Sequence, residues 1–294
     1  MGTRYVSADA VVRRAETAEH RRKRRLRAVA EHAILIAFAA AFLFPVVYIV
    51  LTSLMSGKQA LTSTIWPDPF QPSNYADVFS TISLVRYTWN TTQIAVLSTV
   101  GTVLSSIPVA YALARLRWKG RQVVFVIVLA TLMLPFQVTI VPLYVIWVRL
   151  GQIGHLTPLI LPSFFGDAFS IFLLRQFFMT IPEELSDAAR VDGATEWQVM
   201  TRVIVPLAKP AIAAVALFQF LYAWNDFFAP LLFVGNNQDL YTLSVGLSEF
   251  TQLHGTAWEL MMAASVLFML PVIVLFFLAQ RAFVEGVTLT GVKG

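Results

Sequence analysis

Few groups in this chain can do chemistry, and they gather in two places. Asp226, flanked by Trp224 and Asn225, sits in a long apolar stretch. A carboxylate in hydrocarbon is a candidate functional group by default, the alternative being a structural hydrogen bond or ion pair. The second place is the stretch 180–210, T-I-P-E-E-L-S-D-A-A-R-V-D-G-A-T-E-W-Q-V-M-T-R-V-I-V-P-L-A-K-P, where acidic and basic residues alternate with apolar ones. Elsewhere the inventory is thin. The absence of cysteine excludes disulfides, thiolate nucleophiles and cysteine-held metals. His20, His32, His155 and His254 are too dispersed for a metal site, and no G-x-x-x-x-G-K-[ST] run offers a phosphate loop. An integral-membrane enzyme needs a convergent nucleophile, acid–base or metal set, and these counts argue against one. Any energy for active work comes from elsewhere.

The elements that must position these groups follow from composition. Of 294 residues, 57% are apolar and 13% charged, about half the charged fraction usual in a soluble domain. Apolar stretches at 33–51, 87–114, 122–148, 156–174, 210–234 and 260–280 each approach or exceed the roughly 20 residues that cross a bilayer as a helix. They predict an all-α integral membrane protein with six transmembrane helices. Six spans put both ends on one side, and nineteen of the 22 Lys and Arg fall on that side. Lys58, Arg86 and Arg149 fall on the other. Positive charge accumulates on cytoplasmic loops, so both termini are expected in the cytoplasm. The net charge of +5 is then a topology signal. The basic segment 1–32, with Arg21, Arg22, Lys23, Arg24 and Arg25, reads as an anchor on anionic inner-leaflet lipids, at about 1 kcal/mol per cation, and not as a nucleic-acid site. Prolines at 45, 108, 135, 142, 158, 162, 230 and 271 mark every span for a kink or a packing irregularity.

The loop between spans four and five, 181–209, carries helix signals of its own. Thr180 with Glu183 has capping-box spacing and Pro182 suits a first turn, which predicts a helix from about Ile181. Leu185, Ala188, Ala189 and Asp192 then share a face, and Gly193 is a plausible left-handed stop. Thr195 with Gln198 repeats the capping pattern, and Trp197, Met200 and Ile204 make the next apolar stripe before Pro206 ends it. Such a pair of short amphipathic helices either docks a partner through its small alanines or packs on its own bundle.

The run D-A-A-R-V-D-G-A followed by V-I-V-P closely resembles the E-A-A-x-x-x-G-x(9)-I-x-L-P loop of permease subunits of bacterial ATP-binding-cassette importers. Asp187 stands for the usual Glu, and Val203 and Val205 for Ile and Leu. The resemblance extends from about residue 33 onward. It is carried by Asn74-Tyr75, N-T-T-Q-I-A-V-L-S-T-V, A-Y-A-L-A-R-L-R-W-K-G-R, L-P-F-Q-V-T-I-V-P-L-Y, A-W-N-D-F-F-A-P-L and the terminal G-V-K-G. These look like the carbohydrate-importer branch, and within it like the second permease of the maltose-type heterodimer.

The resemblance implies a non-catalytic transport subunit of the bacterial inner membrane, with a six-span domain at 33–283 and a cytoplasmic tail at 284–294. Its partners would be a homologous permease, two ATPase subunits that use ATP and Mg, and an extracytoplasmic solute-binding protein. The substrate would be an oligosaccharide or disaccharide; glycerol-3-phosphate or a glycerophosphodiester is the alternative, and a secondary transporter without an ATPase a more distant one. Coupling to the ATPases falls to Asp187, Ala188, Ala189, Asp192, Gly193, Ala194 and Trp197. The tail either reaches the ATPases or frays. Candidates for the substrate path are Trp224, Asn225 and Asp226, with Gln137, Tyr144, Gln219 and Tyr222, since a sugar path needs aromatic faces beside amide and hydroxyl hydrogen-bonders.

Overall fold

The computed structural model describes the backbone of residues 8–252 and 255–291 and the side chains of residues 26–251 and 256–278. Within these, the helices are α1 (Ala8–Thr52), α2 (Asn74–Thr81), α3 (Leu84–Ala114), α4 (Arg121–Thr131), α5 (Phe136–Arg149), α6 (Thr157–Ile160), α7 (Ala168–Thr180), α8 (Glu183–Val191), α9 (Glu196–Val199), α10 (Val205–Leu207), α11 (Lys209–Asn225), α12 (Phe228–Val234), α13 (Leu243–Ser248) and α14 (Trp258–Gly291). A two-residue antiparallel pairing joins β1 (Thr251–Gln252) to β2 (Gly255–Thr256). Four helical stretches are long and apolar enough to cross a membrane, or six if each of two bent pairs counts as one span. The helix α1 runs without a break through the expected boundary at residue 32, as arginine- and lysine-rich sequence readily does. The last helix continues through Gly291, so the expected tail from 284 begins inside it, and residues 292–294 lie outside the described residues.

The expected third span, 122–148, is two helices that meet at 93° around residues 132–135. Pro135, in extended conformation, has no N–H to continue the helix, and its ring disfavours a helical residue before it. The expected fourth span is likewise composite. The short α6 passes into a 3-10 turn at Leu161–Phe165, and Gly166, with φ +93°, turns the chain into α7.

Packing centres on α3, which contacts α7, α11, α13 and the Leu161–Phe165 turn. Between helices in lipid, close packing replaces hydrophobic drive, and small residues permit it. Gly101 on α3 shows this: a Cβ there would lie 2.6 Å from a ring carbon of Phe164. At one end of α3, Ala110, Tyr111 and Leu113 pack with Leu174, Phe178, Val199, Met200 and Ile204. Toward the other end, Tyr87, Ile94 and Ala95 pack with Trp224, Leu243, Phe250 and Ala263. Apolar side chains of α1 such as Ile34, Leu35, Phe38 and Phe42 face outward, as suits a helix in lipid.

Candidate functional site

The loop after α7 is built from local backbone chemistry. Thr180 closes α7 by donating its hydroxyl to the Phe177 carbonyl at 2.7 Å, so it does not cap α8 as its spacing to Glu183 predicted. Pro182, extended, takes the position before the first turn. Gly193 does adopt the left-handed conformation, with φ +84°, and its N–H and that of Ala194 reach back to Arg190 at 3.0 Å and Ala189 at 2.9 Å. The box of Thr195 and Gln198 is complete, each side chain bonding the other's backbone N–H. The helix does not end at Pro206. It passes through a π-helical segment, Met200–Ile204, into α10 and then bends by 80° into α11. The wider π turn precedes the proline, whose missing N–H falls in the first turn of α10.

Two faces result. Ser186, Val199, Met200 and Ile204 are buried in the bundle, and Ala189 and Ala194 pack against it. The opposite face exposes Leu185, Asp187, Ala188, Val191, Asp192, Gly193 and Trp197. Trp197 is 66% exposed and so does not belong to the buried stripe of Met200 and Ile204 that its spacing predicted. The π turn that begins at Met200 changes the helical register, so the regular spacing of these three residues does not keep them on one face.

Charge binds the two short helices together and to α3. Arg190 donates to Asp187 Oδ1 at 2.7 Å, and to Glu196 Oε1 and Oε2 at 2.7 and 3.3 Å. Tyr111 donates its hydroxyl to Glu196 Oε2 at 2.6 Å. Arg190, and next the Tyr111 hydroxyl, hold the Glu196 carboxyl below the usual carboxylate range. Arg117 reaches Glu183 at 3.0 Å, and Arg115 donates to the carbonyls of Phe178 and Ile181. Burial lowers the Arg115 pKa. Arg190, Glu196 and Tyr111 were missed by sequence reasoning. Arg190 is legible at three residues from Asp187, but Tyr111 lies 85 residues from Glu196 and gives no local signal.

The second site is a cavity of about 160 Å³ whose wall includes Ile94, Ser98, Ser163, Gln219, Tyr222 and Asp226. A larger opening, lined in part by Thr131, Asp167 and Ser170, shares Gln219 and Tyr222 with it. Three of the seven expected path residues thus converge, and the other four do not line either space. Trp224, 2% exposed, is stacked between Phe220 and Phe268 and belongs to the core. Asn225 turns its amide back to the Leu221 carbonyl at 2.7 Å. Tyr144 stacks on Phe233, and Gln137 is exposed. Asp226 caps α12 by accepting the Ala229 N–H at 3.3 Å. Asp167, not singled out from sequence, caps α7 by accepting the Ser170 N–H and hydroxyl at 2.7 and 2.6 Å. Both carboxylates are therefore helix caps, Asp226 on the wall of the cavity and Asp167 on that of the larger opening, and among the described residues no Lys, Arg or His lines either space.

Among the described residues, helices long and apolar enough to cross a membrane surround a largely apolar cavity that bears a few polar groups, and a two-helix loop projects at one end. Residues 106–289 match the family of the binding-protein-dependent transport system inner membrane component, and the chain belongs to that family. It is a permease subunit of an ATP-binding-cassette importer, without catalysis of its own. It is 34% identical, over 88% of its length and 93% of the relative's, to the arabinooligosaccharides transport system permease protein AraQ of Halalkalibacterium halodurans. It is also 34% identical, over 88% and 95%, to the sn-glycerol-3-phosphate transport system permease protein UgpE of Brucella abortus strain 2308. Its fold matches a crystal structure of a bacterial ABC transporter involved in import of the acidic polysaccharide alginate. The TM-score is 0.76 at 24% identity, over 96% of this chain and all of that one.

Proposed function

We propose that this permease forms half of the translocation path for a neutral sugar, an oligosaccharide or disaccharide, in a bacterial inner-membrane importer. In this reading six spans place both termini in the cytoplasm, α11 with α12 is the fifth, and the loop 181–209 lies on the cytoplasmic face. A homologous permease supplies the other half of the path, two ATPase subunits hydrolyse Mg-bound ATP, and an extracytoplasmic binding protein delivers the sugar. Closure of the ATPases pushes the coupling face of Asp187, Ala188, Asp192, Gly193 and Trp197, while Ala189 and Ala194 seat that face on the bundle. The push becomes a rigid-body movement that alternates access to the cavity.

The observation that carries the neutral substrate is the charge of the walls of the cavity and of the opening beside it, which among the described residues bear Asp226 and Asp167 and no cation. A phosphate monoester there meets like charge at close range and low dielectric. The UgpE relatives favour the second reading, glycerol-3-phosphate, and identity alone does not separate them from AraQ. The complete importer in proteoliposomes decides. ATP-dependent uptake of arabino-oligosaccharide that excess glycerol-3-phosphate leaves untouched supports the sugar. Uptake of glycerol-3-phosphate supports the rival, and uptake by the isolated chain on an ion gradient overturns both.

A further inference from the structure

Three polar ties join the coupling loop region to the inner end of α3, and they differ in kind. Arg117 with Glu183 is a pair of exposed side chains at 3.0 Å. Arg115 grips the carbonyls of Phe178 and Ile181, the end of α7 and not the helices of the loop. Tyr111 reaches the loop itself, from a ring that is buried in the core, and its hydroxyl lies 2.6 Å from Glu196 Oε2. The same carboxylate receives Arg190 of α8, which also holds Asp187. One carboxylate thus joins α8, α9 and α3. The turn between α8 and α9 is closed by its own backbone at Gly193 and by the Thr195–Gln198 box, so this shared carboxylate is not needed to form it.

We propose that the Tyr111–Glu196–Arg190 link is the positioning contact that carries displacement of the coupling loop into α3, and along α3 to the cavity. The proposal rests on the coupling role assigned to the loop above. Ile94 and Ser98 on α3 line the cavity, and Tyr111 lies 13 residues beyond Ser98 on the same helix, which continues unbroken through Pro108, roughly 20 Å along its axis. The covalent route from the loop instead crosses the π turn and the 80° bend before α11, a less rigid connection. The Arg190–Glu196 pair is itself part-exposed, but its carboxylate is also bonded to a hydroxyl fixed in the core, and that second donor transmits a push better than the more exposed Arg117–Glu183 pair, whose side chains reorient in water.

The chain has no cysteine, so a single reporter can be placed on α3. Ser98 is sealed, 1% exposed, and Ser98→Cys in a complete importer otherwise free of cysteine reports opening through its labelling by a water-soluble maleimide. ATP, Mg and the binding protein are expected to raise the labelling rate at least tenfold. Adding Tyr111→Phe, which keeps the ring and removes only the hydroxyl, should cut that increase below twofold while ATPase copurification and ATP hydrolysis persist. Arg117→Ala should leave the increase intact. An undiminished increase in Tyr111→Phe overturns the link and leaves the coupling role of the loop standing. No ATP-dependent increase with native Tyr111 overturns the coupling reading instead. Should Tyr111→Phe fail to assemble, Glu196→Ala and Glu196→Gln decide. A loss in the first with partial recovery in the second supports the link, and wild-type behaviour in both overturns it.

Discussion

The coupling loop and the cavity use the same side chain, a carboxylate, in opposite ways. In the loop, Asp187 and Glu196 share Arg190, and Glu196 also accepts the Tyr111 hydroxyl, so charge ties separate helices into one body. At the cavity and the opening beside it, Asp226 and Asp167 each accept a backbone N–H and hold a helix start where the chain is broken. Acidic residues beside water can afford arginine partners, whereas in the bundle the orphan N–H groups of broken helices are the available donors. The lesson is that a carboxylate in an apolar stretch has a structural role to perform even when it borders a cavity, whereas in the loop the carboxylates tie separate helices together.

The largest expected effects break the loop. Gly193→Pro imposes φ near −65° where the chain has +84°. Ala189→Trp forces an indole between the loop and the bundle. Either should abolish uptake and transport-coupled ATP hydrolysis while the chain remains in the membrane, as uptake, ATPase assays and membrane immunoblots will measure. Gly193→Ala, with open space around its Cβ, should act through the left-handed φ alone, at about 1–2 kcal/mol, and only weaken coupling. Trp224→Ala comes next. Its ring fills the core, so the variant should lose about 3–5 kcal/mol of stability, read as a lowered thermal midpoint in detergent, with unchanged half-saturation for sugar in whatever complex survives.

Smaller effects sharpen the contrast at the cavity. Asp226→Asn keeps an acceptor for the Ala229 N–H and should fold normally, whereas Asp226→Ala loses the cap, about 1 kcal/mol. Comparison of their uptake kinetics separates cap from path: a changed half-saturation in Asp226→Asn assigns the carboxylate to solute, and unchanged kinetics return it to scaffold. Gln219→Leu, on the wall of both spaces, should reduce uptake several-fold without lowering the thermal midpoint. The smallest effect is that of pH. Glu196 is held below its unfolded value of about 4.3, so its contribution is present above that value and is lost as pH falls through the lower folded value. Coupling of the wild-type importer should therefore show no titration of this group between about pH 5.5 and 8, and Glu196→Gln should leave that profile flat.

What the sequence made legible was local. The left-handed Gly193, the Thr195–Gln198 box and the apolar stretches are set by residues a few positions apart, and spacing reads them directly. Thr180 had two local uses, closing α7 or opening α8, and spacing alone does not say which turn claims a hydroxyl. The 93° break before α5 was foreshadowed by Pro135, yet a run of apolar residues reads the same whether the helix is straight or bent. Trp197 and Trp224 show the limit most plainly. An aromatic on a short helix or beside an intramembrane acid faces a partner or a core according to contacts from helices far away in the chain. The Tyr111–Glu196 bond and the approach of Asp167 to the wall shared by Gln219 and Tyr222 are products of the fold and of no local pattern.

The central claim, that the exposed face of the loop meets an ATPase subunit, is open to one direct measurement. Asp187→Cys, in a chain with no other cysteine, is treated with a short bifunctional reagent in the assembled importer, with Leu61→Cys as the control from the proposed outer side. The account predicts a cross-link from position 187 to an ATPase subunit whose yield changes with ATP, and none from position 61. A cross-link to the ATPase from position 61, with none from 187, would contradict it.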